Sequence, residues 1–211
     1  MPNFNAVLVT LDQVERCVNT LFEEDNKIFR IEKDTEEQIL IVDMIKRLLV
    51  DGIAVMTSIV DSDDDNRPIA MYVGYKFPTL KGWIVGLTKI GGQHNHFNKS
   101  AEIMAPALDL LITEMEKDGY YKFWMISPEQ HHNIRNKIMK RHSSTLGRYQ
   151  WFDEEVIKRG TLSPTKIFNS FRGTKTVDWT DMVVRLFVLN QSERVDFLRK
   201  ENHMDYKGTI L

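Results

Sequence analysis

The chain has 211 residues, of which 42% are hydrophobic and 27% charged, and its formal net charge is -2. A chain of this length buries about 70% of the surface it exposes when unfolded, and its composition is that of a globular domain, which excludes extended disorder. The near-neutral balance excludes a whole-chain field that would gather nucleic acid or an anionic membrane.

The one cysteine, Cys17, has no intrachain disulfide partner and cannot form a four-cysteine zinc site. Its helical setting reads as a packed thiol rather than a nucleophile. Low cysteine usage fits a reducing cytoplasm. The opening MPNFNAVLVT has no basic segment followed by a long apolar run, so no signal peptide is expected. No apolar stretch approaches the ~18 residues of a membrane span. The expectation is a protein of the cytoplasm, or of a particle assembled there.

Residues 5–11 (NAVLVTL) are short, apolar and β-branched, the pattern of a strand. Asp12 is placed to cap a helix over 13–24, where Val14, Cys17, Val18, Leu21 and Phe22 recur at helical spacing. A second helix is expected over 36–50, with Ile39, Val42, Ile45, Leu48 and Leu49 as its apolar face and Asp51-Gly52 as its stop. Residues 53–60 and 69–77 read as strands joined by the acidic turn DSDDDNRP. Calcium could use such oxygens, but the turn lacks the EF-hand glycine and distal glutamate, so a solvated hairpin is expected.

A third meander strand covers 83–90, and Gly91-Gly92 breaks it. A polar loop over 93–104 leads to a helix over 105–118, whose inner face is Leu108, Leu111, Ile112 and Met115. Pro106 has no N–H and suits the first turn, which sets the start of the regular helix near Ala105. Then come a short buried strand (122–126), a helix (130–142), a strand (148–156), an irregular stretch (158–173) and a last strand (181–189). The pattern predicts one domain over 1–189 and a polar tail over 190–211 whose Val195, Phe197 and Leu198 suit a short docking helix.

This order of elements resembles the GNAT (GCN5-related N-acetyltransferase) superfamily over about residues 5–189. The resemblance implies an α/β (α+β) fold with a mixed, mostly antiparallel sheet of about six to seven strands and about four flanking helices. It also implies acetyl-CoA as cofactor, its pyrophosphate held by backbone N–H groups of a Gln/Arg-x-x-Gly-x-Gly/Ala segment at a helix N-terminus, where orphan donors and the helix dipole favour an anion. The best register here is Glu102-Ile103-Met104-Ala105-Pro106-Ala107, followed by Leu110-Leu111. Ala107 fits that register. Glu102 takes the Gln/Arg position, Ala105 replaces a glycine, and Pro106 lacks an N–H. The residues expected to bind cofactor are Lys89, Ile90, Asn98, Lys99, Ser100, Ala105 and Ala107.

In the family a base deprotonates the acceptor amine and an acid, commonly tyrosine, protonates the leaving thiolate. His94 and His96 are the candidate bases, because histidine titrates near neutrality. The expected acid helix, QHHNIRNKIMKRH, has no tyrosine, which leaves Tyr149 as the candidate acid. No metal site is expected, since His94-x-His96 has no third ligand placed by sequence. His131 and His132 point in different directions on a helix and make a poor chelating pair.

Two functional readings stay open. One is an acyltransferase moving acetyl from acetyl-CoA to an amine. The other is a GNAT-fold protein without catalysis, of the kind tailed phages also encode, acting in virion assembly or another accessory role. In the second reading, the basic helix with Arg135, Lys137, Lys140 and Arg141, then Trp151, Phe152 and residues 158–180, would meet a protein partner or a second copy. Nucleic acid is a weaker reading of the same helix.

Overall fold

The structure is a computed structural model, and it describes residues 3–29, 35–78, 81–91, 100–128, 146–157 and 182–200. Seven strands form one sheet in the order β1-β2-β3-β4-β5-β7-β6. They are β1 (Phe4–Leu8), β2 (Ala54–Asp61), β3 (Arg67–Phe77), β4 (Gly82–Ile90), β5 (Lys122–Pro128), β6 (Tyr149–Ile157) and β7 (Met182–Leu189). The described helices are α1 (Val14–Phe29), α2 (Thr35–Val50), α3 (Ser100–Lys117) and α4 (Gln191–Lys200). Every neighbouring strand pair is antiparallel except β4 and β5, which run parallel. The expected fold class is what the chain adopts. The helix expected over 130–142 lies outside the described residues.

Two apolar layers hold the sheet. On one face, Val14, Cys17, Val18 and Leu21 of α1 and Ile41, Val42 and Ile45 of α2 pack on Met71, Val73 and Tyr75 of β3. On the other, Leu108, Leu111, Ile112 and Met115 of α3 pack around Tyr72, Trp83 and Phe123. Strand β3 is therefore buried on both faces, which explains its near-continuous apolar run. Each buried aliphatic of α3 contributes about 1.5–3 kcal/mol through burial. In the tail, Phe197 of α4 packs against the same cluster.

Helix α3 starts at Ser100, five residues before the expected Ala105, and carries Pro106 inside it. Proline there leaves the Glu102 carbonyl without its i+4 donor. Tertiary packing overrides that local cost. Met104, Ala105, Ala107 and Leu108 are all buried, and Thr57 Oγ1 of β2 donates to the Ala107 carbonyl at 2.9 Å.

The acidic turn between β2 and β3 is a hairpin whose carboxylates serve the backbone. Asp61 Oδ1 accepts the Asp63 N–H at 3.0 Å, Asp63 Oδ2 accepts the Asn3 N–H at 3.3 Å, and Asp65 pairs with Arg16 at 2.9 Å. Asp65 and Asn66 hold φ of 46° and 50°, a left-handed conformation these residue types tolerate.

Cys17 is a buried thiol whose sulfur donates to Ser58 Oγ at 3.6 Å. Burial pushes its pKa up to about 11. At pH 8 about 0.1% is thiolate, and the thiolate is the reactive form. A thiol reagent at pH 8 is therefore expected to leave the native protein unlabelled and to modify one thiol after denaturation. Stoichiometric labelling of the native chain would contradict the packed setting.

Candidate active site

Strands β4 and β5 part beyond their first four pairs, which leaves a cleft between them among the described residues. Their parallel ladder holds only the pairs Gly82–Lys122, Trp83–Phe123, Ile84–Trp124 and Val85–Met125. Beyond Val85, β4 stays with β3 as far as Ile90. Beyond Met125, β5 stays with β7, pairing Ile126, Ser127 and Pro128 with Val184, Val183 and Met182. Each strand follows its outer neighbour, and the two diverge.

A bulge sits where they part. Val73 pairs with Leu87 and Gly74 with Val85, so Gly86 is the extra residue in β4. Bulges bend a strand and raise its twist. The residue there must be glycine, because a Cβ at Gly86 would fall within the ring of Tyr75. Tyr75 is itself buried, and burial raises its hydroxyl pKa.

Hydrogen-bond alternation fixes which way the open part of β4 faces. The Gly91 N–H donates to the Ile69 carbonyl of β3 at 2.8 Å. Gly91 and Lys89 thus bond towards β3, while Thr88 and Ile90 turn their N–H and C=O towards the cleft. Thr88 Oγ1 is buried with no hydrogen-bond partner among the described residues. A polar, amide-bearing chain lying in the cleft would complete the β4 ladder as an added strand does.

The described cofactor residues of the sequence reading separate into three groups, and two more lie outside the described residues. Ile90 reaches the cleft through its backbone, and Ser100 opens α3, whose first four N–H groups lack intrahelical acceptors. Lys89 faces the other way, its Nζ lying 4.3 Å from the centroid of Phe22 on α1. Ala105 and Ala107 are fully buried in the α3 core. Their side chains pack in the core, because the earlier helix start moves the whole Glu102–Ala107 segment out of the loop and into the first two turns of α3. Asn98 and Lys99, with His94 and His96, lie outside the described residues.

Tyr149 is at the other end of the sheet. It pairs with Leu189, one step past the Val188–Lys122 pair and so beside the closed end of the β4–β5 ladder. Its hydroxyl donates to Glu116 Oε1 of α3 at 2.9 Å, and Arg148 contacts both Glu116 oxygens at 2.9 and 2.8 Å. Its ring stands edge-on to Phe123, with centroids 5.1 Å apart. Burial, then the Glu116 charge, raises its pKa far above the ordinary phenol value. The hydroxyl that looked free in the sequence ties β6 to α3.

The sequence reading missed Gly86 and Thr88. A signal for Gly86 was present: an isolated glycine inside a strand pattern marks a bulge or a close backbone approach. Nothing in the residue pattern marks the divergence of β4 from β5, because it is a property of strand neighbours.

Among the described residues, no three His, Cys, Asp or Glu side chains are grouped to hold a metal ion. Also among them, no helix is long and apolar enough to cross a membrane.

No protein-family model matches the sequence, and no curated protein matches it. Solved structures do match the fold. The ribosomal-protein-S5-alanine acetyltransferase of Vibrio fischeri is 13% identical, with a TM-score of 0.60, over 90% of this chain and 96% of that one. RimL, a ribosomal L7/L12 alpha-N-protein acetyltransferase in complex with coenzyme A, is 13% identical, with a TM-score of 0.58, over 88% of this chain and 94% of its own. SpeG, the spermidine/spermine N-acetyltransferase of Vibrio cholerae, is 10% identical, with a TM-score of 0.55, over 92% and 98%. At these identities the likeness is one of fold, and it agrees with the strand order, the parallel β4–β5 step and the cleft: the chain has the GNAT fold of the N-acetyltransferases.

Proposed function

We propose that this protein is an acyltransferase that takes an acyl group from an acyl-CoA, acetyl-CoA first among them, and passes it to an amine. The observation that carries the reading is the β4–β5 ladder, which ends after Val85–Met125 and leaves the inward backbone groups of Thr88 and Ile90 without a strand partner on that side among the described residues. The residues fit a pantetheine arm. Its amides can pair with the β4 backbone, Thr88 Oγ1 is a buried polar atom with no hydrogen-bond partner among the described residues, and the start of α3 at Ser100 offers N–H donors to phosphate. RimL, the likeness with coenzyme A bound, supports the same choice of ligand.

In the reaction the amine nitrogen attacks the thioester carbonyl carbon, the C–S bond breaks, and the departing thiolate takes a proton while the amine loses one. His94 and His96, in the segment between β4 and α3, are the proposed bases. Tyr149 is not assigned the acid role, since its proton is committed to Glu116 beside the closed end of the ladder.

Titration calorimetry with acetyl-CoA tests the binding step. Saturable binding at one site per chain is expected, and it should be lost for dephosphorylated fragments too short to span the cleft and the start of α3. Absence of heat at high protein concentration would remove the reading. A second reading keeps the fold and drops the chemistry: a non-catalytic assembly or accessory protein. The commitment of Tyr149 to Glu116 favours it. It expects coenzyme A binding, if any, without transfer to amines.

A further inference from the structure

The start of α3 fixes the direction in which a bound acyl-CoA lies. Only residues 91–99 separate Ile90, the end of β4, from Ser100. Ile103, in the first turn of α3, packs against the same apolar cluster as Ile90. Phosphates at the helix start therefore enter the cleft beside Ile90. The thioester end then points back along β4, past Thr88, towards Gly86 and the last ladder pair, Val85–Met125.

The apex of the cleft is walled on both faces of the sheet. Towards α3, Val85 and Met125 are buried in the apolar cluster around that helix. Towards α1, the Tyr75 ring of β3 lies against the Gly86 α-carbon, where a Cβ would fall 1.8 Å from Cε2 and 2.3 Å from Cδ2. Tyr75 is buried in the layer formed with α1 and α2, so its ring stands between the apex and that layer. A side chain on β4 itself could fill this space, and a strand glycine gives up that packing. The chain instead closes the apex with a flat ring reaching over from the neighbouring strand.

We propose that Tyr75 sets the length of the acyl group: its ring ends the cleft at a depth that admits acetyl and excludes longer chains. This inference rests on the acyl-transfer reading. A longer chain running past Gly86 meets the ring. To pass, it must drive the ring into the packed α1–α2 layer, and close-packed interiors give way only with strain. A shorter side chain at position 75 opens an apolar space behind the apex. Such spaces stay dry and take apolar guests, so the added methylenes of a longer acyl chain would be buried there instead of excluded.

Titration calorimetry on the full chain with coenzyme A, acetyl-CoA and butyryl-CoA tests it. The wild type is expected to bind butyryl-CoA about tenfold or more weakly than acetyl-CoA, the scale of overpacking. Tyr75→Leu is expected to bind butyryl-CoA at least as tightly as acetyl-CoA, with a gain of about fourfold for each methylene it buries. Tyr75→Phe keeps the ring and should keep the wild-type preference. Coenzyme A carries no acyl group, so its affinity should be the same in all three proteins, which a general loss of structure would not give. Tyr75→Met repeats the measurement with an unbranched side chain where Tyr75→Leu does not unfold cooperatively. A wild type indifferent to chain length overturns the proposal, and so does a preference that survives loss of the ring; both leave the acyl-transfer reading standing. A wild type that binds none of the three ligands overturns both.

Discussion

Gly86→Val is expected to destabilise the fold by about 3 kcal/mol and to abolish acyl-CoA binding. The new side chain would have to occupy the space filled by the Tyr75 ring, which lies directly over the Gly86 α-carbon. Tyr75 is buried in the α1–α2 layer and cannot swing into solvent. Either β4 moves away from β3 or the ring is driven into α1, and overpacking of this kind costs about 1–3 kcal/mol or more. The bulge at Gly86 also sets where β4 leaves β5, so the strain falls on the cleft. Tyr75→Leu makes room. The double variant should therefore be more stable than the sum of the two single losses predicts, with a coupling of about 1–3 kcal/mol. Urea denaturation of the two single variants and the double variant measures this. Strict additivity would mean that the ring and the bulge do not press on each other.

Glu116→Ala is the second large effect. One carboxylate accepts from Arg148 through both oxygens and from Tyr149 through one. Its removal strands a buried phenol and a half-buried guanidinium. The phenol loses a charge-assisted bond in a dry setting, and the guanidinium can still reach water, so the expected loss is about 2–3 kcal/mol. Tyr149→Phe removes one bond and keeps the ring against Phe123, at a cost of about 1 kcal/mol. It is expected to leave any acyl transfer rate within about twofold of wild type. A loss of about a hundredfold or more, the scale of a missing general acid, would restore Tyr149 to the reaction.

The same tyrosine carries a pH signature. Burial and then Glu116 raise its folded pKa above the ordinary value of 10.0. The unfolded chain therefore releases this proton first as pH rises. Its contribution to stability is fully present below pH 10 and is lost progressively above it. Tyr149→Phe should flatten that alkaline decline. An unchanged slope between pH 9 and 11 would show that the hydroxyl is not buried as described.

Much of this protein is legible in its residue pattern, for local reasons. The short, apolar, β-branched runs of β2, β3 and β4 and the helical spacing of Val14, Cys17, Val18 and Leu21 declare their elements, because each must be buried whatever its neighbours are. The hairpin at DSDDDNRP follows from turn chemistry, and the stop after α2 from Gly52, whose φ is 67°. The order of elements was then enough to reach the GNAT fold.

Tertiary structure decided the rest, and nearly all of it concerns the site. Pro106 argues locally for a helix starting near Ala105. Burial of Met104, Ala105 and Ala107 against the sheet carries the helix back to Ser100 and takes the apparent phosphate segment out of the loop. Tyr149 reads as an available hydroxyl until α3 brings Glu116 to it across 33 residues of sequence. The cleft exists because β4 follows β3 and β5 follows β7, a competition between strand pairings that neither strand's own sequence records. Chain-local signals fix what each segment is. Which segments meet, and which backbone groups they leave open, is settled only when distant pieces compete for the same partners.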